Sequence, residues 1–341
     1  MGNLTTIRRV MLSLTGLVLV ALIAYAAYWH YMAGQIRNQL EPWARAQAAQ
    51  GYVVHWDTAD VTGFPGSFRL VFTHLSFGTA RPVPVTIDAS AASVWAMPWN
   101  LHHWEFTAPQ GAQLVEQTHS AGFAARHFDG AFDVGASAAT AVDLTALDLT
   151  GVGLAQGIAI GDAEAHVEVP PVPPQSHSDP SLTLSLQMNQ AKLPNPVPAF
   201  GDTLSGFSFT AQIDGALPPG PFVPALSRWR DDGGTIELQS LRLRWGSLLI
   251  DAAGTLALDS SLQPEGALTA TITGQDAAVD VAVMTGTLKP EAASAAKTVL
   301  GLLAKPNAQG EKAISLPITI QNRALFLGPA KIANIPPVPW N

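Results

Sequence analysis

The chain has no cysteine. That excludes disulfides, thiolate metal sites and cysteine nucleophiles, while leaving the compartment open. Charge is also scarce: Asp, Glu, Lys and Arg make up 13% of 341 residues, against roughly 25% in ordinary globular chains. A solvated surface must then be covered mainly by Thr, Ser, Gln, Ala and Gly. The net charge is −8, and no Lys/Arg cluster could track a phosphate backbone, so no nucleic-acid partner is expected. Catalytic signatures are lacking as well. There is no Gly-x-Ser-x-Gly elbow, Walker loop, His-Glu-x-x-His or dinucleotide fingerprint. His102-His103 is the one adjacent histidine pair, and neighbours on a strand point to opposite faces, which is poor for joint ligation. His119 and His127, near Asp129 and Asp133, read as ordinary loop polarity, and Asp57, Asp60 and Asp88 show no partner. The expectation is a protein that is not an enzyme and has no metal and no cofactor.

What is present begins at the N-terminus. Arg8 and Arg9 precede residues 10–33, VMLSLTGLVLVALIAYAAYWHYMA, which hold no Asp, Glu, Lys or Arg. At 1.5 Å per residue these make a helix of about 36 Å, enough to span a bilayer. Tyr25, Tyr28, Trp29 and Tyr31 gather at the far end, where aromatic rings favour the interface. The paired arginines favour a cytoplasmic N-terminus, which makes this a single-pass membrane anchor with the bulk of the chain outside the cytoplasm. A cleaved signal peptide, with Ala24-Tyr25-Ala26 as its cleavage site, is the rival reading, and both export the remainder. The Met1–Thr6 match to a myristoylation pattern is read as chance, since a spanning helix follows at once.

Residues 34–50, rich in Ala, Gln and Arg, read as a helical stalk that Pro42 bends or splits. From Tyr52 the period becomes two. Phe68/Leu70/Phe72, Leu182/Leu184/Leu186/Met188, Phe207/Phe209/Ala211/Ile213, Ile236/Leu238, Leu256/Leu258 and Leu268/Ala270/Ile272 all alternate. Short alternating strands broken by Gly, Pro, Asp and Ser indicate an extended antiparallel sheet, curved or groove-like, with one apolar face. The expected class is mainly β. In three places the alternation skips a residue: Phe72-x-x-Leu75-x-Phe77, Leu144-x-x-Leu147-x-Leu149 and Leu238-x-x-Leu241-x-Leu243. A one-residue bulge, or a tight corner, would return the apolar residues to the same side.

Two short helices are expected beyond the stalk, Phe222–Arg230 and Pro290–Ala304, the latter with Val299, Leu302 and Leu303 as its apolar stripe. The organisation expected is anchor 1–33, stalk 34–50, a first β-rich half 51–170, a Pro-rich connection 171–181 and a second half 182–341. The connection reads equally as a long surface loop within one sheet. Trp95, Trp99 and Trp104 cluster around Pro98, either as core or as an exposed patch for membrane or an apolar ligand.

These features occur in a recognisable order. A strand opens with Gly-Phe-Pro at 63–65, and Met97-Pro98-Trp99-Asn100 follows. Then come Gly233-Gly234-Thr235 through Leu243-Arg244-Trp245-Gly246, Leu258-Asp259, and Gln263-Pro264-Glu265-Gly266. Leu316-Pro317-Ile318 and Pro336-Pro337-Val338-Pro339-Trp340 close the chain. This order resembles the bacterial domain-of-unknown-function family 2125 over nearly the whole chain, with Gly66-Ser67 as an insertion before Phe68. Those motifs are structural and imply no reaction. The Gly-Gly-x-Ile-x-Leu-x-x-Leu-x-Leu run is also similar to strands of AsmA-like envelope proteins, and that resemblance implies a β-groove shielding lipid chains.

Two functional classes follow. In one, a membrane-anchored envelope protein holds lipid or another apolar ligand along a groove, with Phe68, Leu70, Phe72, Ile236, Leu238, Leu256 and Leu258 as lining. In the other, the same faces are sealed core and the protein is a non-catalytic scaffold. Membrane contact through residues 10–33 is common to both.

Overall fold

The computed structural model describes residues 2–80, 84–116, 118, 120–135, 139–218, 221–284, 288–306, 310–328, 330–338 and 340. Helix α1 (Gly2–Ala49) joins the apolar run and the stalk into one element, passing through Pro42 without ending. It contains the one helical segment, Met11–Ala49, long and apolar enough to cross a membrane among the described residues. Beyond it, every strand among the described residues belongs to a single 18-stranded sheet.

The N-terminal strands are β1 (Tyr52–His55), β2 (Thr58–Thr62), β3 (Phe68–Thr79), β4 (Val85–Met97), β5 (Asn100–Ala108) and β6 (Ala112–Glu116). The middle holds β7 (Ala121–Val134), β8 (Ala139–Gly153), β9 (Ala159–Glu168), β10 (Pro180–Val197) and β11 (Gly201–Asp214). After α2 (Phe222–Asp231) come β12 (Thr235–Trp245), β13 (Leu248–Leu258) and β14 (Pro264–Thr273). Helices α3 (Gln275–Met284) and α4 (Pro290–Leu303) precede β15 (Lys305–Pro306), β16 (Lys312–Gln321), β17 (Ala324–Leu327) and β18 (Ala330–Asn334).

All pairings are antiparallel, as a meander of alternating strands should give. β1 and β2 share the outer side of β3, and β5 and β6 share the place between β4 and β7. The Pro-rich connection does not interrupt the sheet: β9 and β10 pair from Thr183↔Glu168 to Lys192↔Ala159.

The skipped residues have two structural forms. At Leu238–Leu241 a true bulge occurs, because Leu238 faces Gly254 while Leu241 faces Ala252 and one extra residue is taken up in β12. At Phe72–Leu75 there is none. Thr73↔Ala91 and Leu75↔Ala89 stay in register, and His74 between them takes a left-handed conformation, φ 48°. Asp148 (φ 52°) in β8 and Gln190 (φ 55°) in β10 repeat the device. The corresponding apolar steps are Ala146→Leu149 and Met188→Ala191, so the step expected at Leu144–Leu147 lies two residues later and Leu147 faces outward, 38% exposed. Paired strands make the same step opposite these residues: Ala92→Ala89 in β4, Phe128→Ala125 in β7, Ala163→Ile160 in β9. Between β5 and β6, Gly111 (φ 79°) continues the line, and a Cβ there would lie 2.0 Å from the Ala125 carbonyl oxygen. A fold line therefore crosses the sheet from β3 to β10.

One helix was not anticipated. In α3, Val279, Val281 and Val283 alternate like a strand, yet the segment is helical and begins directly after Gly274 (φ 80°). In α4, Val299, Leu302 and Leu303 are exposed rather than packed.

Candidate functional site

Cross-strand pairing carries one apolar face through the sheet. From β3 the row runs Leu70, Val94, Phe106, Gly130, Leu144 and Ala165. It continues through Leu186, Phe209, Leu241, Ala252 and Ala270 to Leu316 in β16. The seven residues expected to line a groove all lie on this face, but at two separated places. Phe68, Leu70 and Phe72 stand on β3, whereas Ile236, Leu238, Leu256 and Leu258 stand on β12 and β13.

The β3 group is covered by α1. Trp29, Ala33, Ile36 and Leu40 recur at helical spacing and face the sheet. Trp29 and Ala33 pack on Phe68, which is fully buried; Ile36 also joins Leu40 against the cluster holding Leu70 and Phe72. Trp29 stacks on Phe68 with ring centroids 5.4 Å apart, and its indole N–H donates to the Ser67 carbonyl at 3.1 Å.

The β13 end is covered by α2 and the chain terminus. Leu226 and Trp229 pack on Leu258 and Leu262, with Ile213, Ile236 and Trp340 around them. The Trp229 indole donates to the Asp214 carbonyl at 2.7 Å and lies against Gly234, where a Cβ would meet the ring at 2.2 Å. That contact explains Gly234, while Gly233 before it holds a left-handed backbone, φ 84°. The terminus is clasped by Gln263, whose Nε2 donates to the Val338 carbonyl at 3.3 Å and whose Oε1 accepts the Val338 N–H at 2.8 Å. The Trp340 indole donates to the Leu262 carbonyl at 2.7 Å.

Between these covered places the face changes character. Strands β8, β9 and β10 contribute no residue to the three buried clusters described. Val142, Leu144, Val167, Leu184, Leu186 and, on β11, Phe209 are half-buried. Alternation placed these residues on strands; their position as the uncovered centre comes from pairing order. Strands β8–β10 lie between those that α1 and α2 cover, and Phe209 shares β11 with Ile213 of the α2 cluster.

The opposite face is polar. His103 and Asp133 meet at 2.7 Å, as do His166 and Asp143, and Thr107 pairs with Asp129. Asp57, on the β1–β2 segment, is 2.7 Å from His74 at the fold line, and Asp88 accepts from Ser76 at 2.5 Å. These exposed cross-strand pairs order the surface and add little stability each. His119 lies outside the described residues. Among the described residues no group of three or more His, Asp or Glu side chains could hold a metal ion. A shallow concavity at the fold line has a mixed lining, with His74, Asp88, Ser90, Gln110 and Gln113 beside Leu75 and several alanines.

An antiparallel meander with one continuous apolar face, covered by α1 at β3 and by α2 and the last residues of the chain at β11–β13, and led by an apolar helix, is the class of protein these elements define. The chain belongs to the bacterial family DUF2125, described as uncharacterized proteins conserved in bacteria, whose family model matches residues 29–336. No curated protein and no solved structure matches it.

Proposed function

We propose that this chain is a non-catalytic, membrane-anchored envelope protein that holds an apolar molecule, in the first place lipid acyl chains, along the middle of its apolar face. α1 anchors it in the inner membrane with the sheet on the periplasmic side, the orientation that Arg8 and Arg9 favour. The carrying observation is the contrast between the two covered places, at β3 and at β11–β13, and the half-buried residues Leu144, Val167, Leu184 and Leu186 on the strands between them, with Phe209 beside them on β11. A contiguous apolar surface of this kind marks an interaction site. Each buried methylene is worth about 0.8 kcal/mol, so an acyl chain laid across several strands gains useful affinity. The likeness of the β12 region to AsmA-like grooves supports the same reading.

A native mass spectrum of the full chain, extracted in mild detergent and stripped in the gas phase, is expected to show a population heavier by the mass of one or more lipids. A spectrum of bare chain only would favour the second reading, a scaffold. That reading is supported by the family motifs Gly233-Gly234, Leu258-Asp259, Gln263 and Trp340, which converge on the α2 clasp and build structure there.

A further inference from the structure

The edge of the sheet beside the anchor carries two turns, residues 63–67 between β2 and β3 and residues 98–99 between β4 and β5. Both are tied to α1 within the apolar run. Tyr25 donates its hydroxyl to the Pro65 carbonyl, Tyr28 donates to Pro98 at 3.4 Å, and Trp29 donates to Ser67 at 3.1 Å. Phe64 packs edge-on against Trp29 at 5.4 Å and stacks on His30 at 5.7 Å. So the last turns of the apolar run lie against protein, and the turns of the sheet come down to their level. Residues 10–29 rise about 30 Å as helix, the thickness of the hydrocarbon layer. The level of Trp29 is then the boundary between hydrocarbon and headgroups.

The tips of these turns suit that boundary. Trp99 is 75% exposed, Phe64 49% and Met97 43%. Residues 61–68 and 96–104 contain no Asp, Glu, Lys or Arg, so no charge would have to be desolvated there. Aromatic side chains with a polar edge favour the interfacial layer.

We propose that the two turns insert Trp99, Met97 and Phe64 into the headgroup layer of the leaflet where α1 emerges, seating this edge of the sheet on the bilayer. The proposal rests on α1 crossing a bilayer. It gives the apolar face a lipid surface at one edge, so that an acyl chain would pass between bilayer and sheet without crossing open water.

The absence of cysteine allows a label at one position at a time. The full chain carrying Leu17→Cys, Met97→Cys, Trp99→Cys or Leu154→Cys would be labelled with bimane and reconstituted into phosphatidylcholine vesicles with or without doxyl-labelled phosphatidylcholine. Leu154 is a suitable reference, 77% exposed on the opposite edge between β8 and β9. Labels at 17, 97 and 99 are expected to lose most of their fluorescence to the lipid quencher, while the label at 154 keeps it. Quenching at 17 with none at 97 or 99 would overturn the seating and leave the anchor. Equal quenching at 99 and 154 would overturn it too. A label at 17 that is not quenched would remove the anchor and the seating together.

Discussion

Trp229 and Gly234 show how tightly the chain is specified at single positions. The indole occupies the space a side chain at 234 would need, and its N–H satisfies the Asp214 carbonyl. Gly234→Ala must therefore push the ring away and orphan that carbonyl. Overpacking of this kind costs about 1–3 kcal/mol, so the full chain in detergent should unfold at a clearly lower temperature than its parent. Asp179 supplies a second residue-scale test. Its carboxylate accepts the Gln175 N–H at 2.8 Å and the Ser176 N–H at 2.9 Å, and these bonds to the charged form hold its pKa below the ordinary value. A depressed folded value means that the loop's stabilisation is complete at neutral pH and is lost only as pH falls through that lower value. The Ser176 amide resonance should titrate with a midpoint below about 3.9, the ordinary Asp value; a midpoint above it would contradict the assignment.

At the scale of elements, period-two alternation marked most of the sheet, and the absence of charge marked the apolar run. What escaped was decided by tertiary context. The Val279–Val283 alternation of α3 resembles a strand, yet Gly274 turns the chain into a helix. The step in β8 was misplaced because a left-handed residue is invisible to apolar periodicity, and Asp148 adopts that conformation at ordinary polar composition. Asp148→Val should cost about 1–2 kcal/mol through backbone strain, whereas Asp148→Gly should be near neutral, losing only an exposed ion pair with Arg126. Equal losses in the two variants, read by thermal unfolding, would mean the ion pair and not the backbone matters. Anchor and stalk are one helix, α1, and the structure adds that it covers Phe68, Leu70 and Phe72. The sheet from Gly51 onward is thus incomplete alone. Trp29→Ala should cost about 3–5 kcal/mol, and a chain beginning at Gly51 should bind more of a hydrophobic dye than the full chain does, because the β3 cluster is then exposed as well.

For the whole molecule, the central matter is the contrast along a single face. The groove-lining residues expected from the sequence fall on that face, but Phe68, Leu70, Phe72 and Leu258 are buried in the two places that α1 and α2 cover. Strand order could not be read from periodicity alone, so the uncovered centre on β8–β11 became visible only in the pairing. A charge at an end and a charge at the centre should behave differently. Phe72→Asp would bury an unpaired carboxylate and unfold the chain, whereas Leu186→Asp should leave the fold standing and abolish lipid retention. The most direct measurement is photo-crosslinking of the full chain in its membrane with a diazirine-bearing fatty acid, with the modified peptides read by mass spectrometry. Adducts should appear on Leu182–Met188 and Phe207–Phe209, in the middle of the sheet. Adducts confined to residues 10–33 and to the turns beside them would contradict the account and leave the apolar face without a ligand.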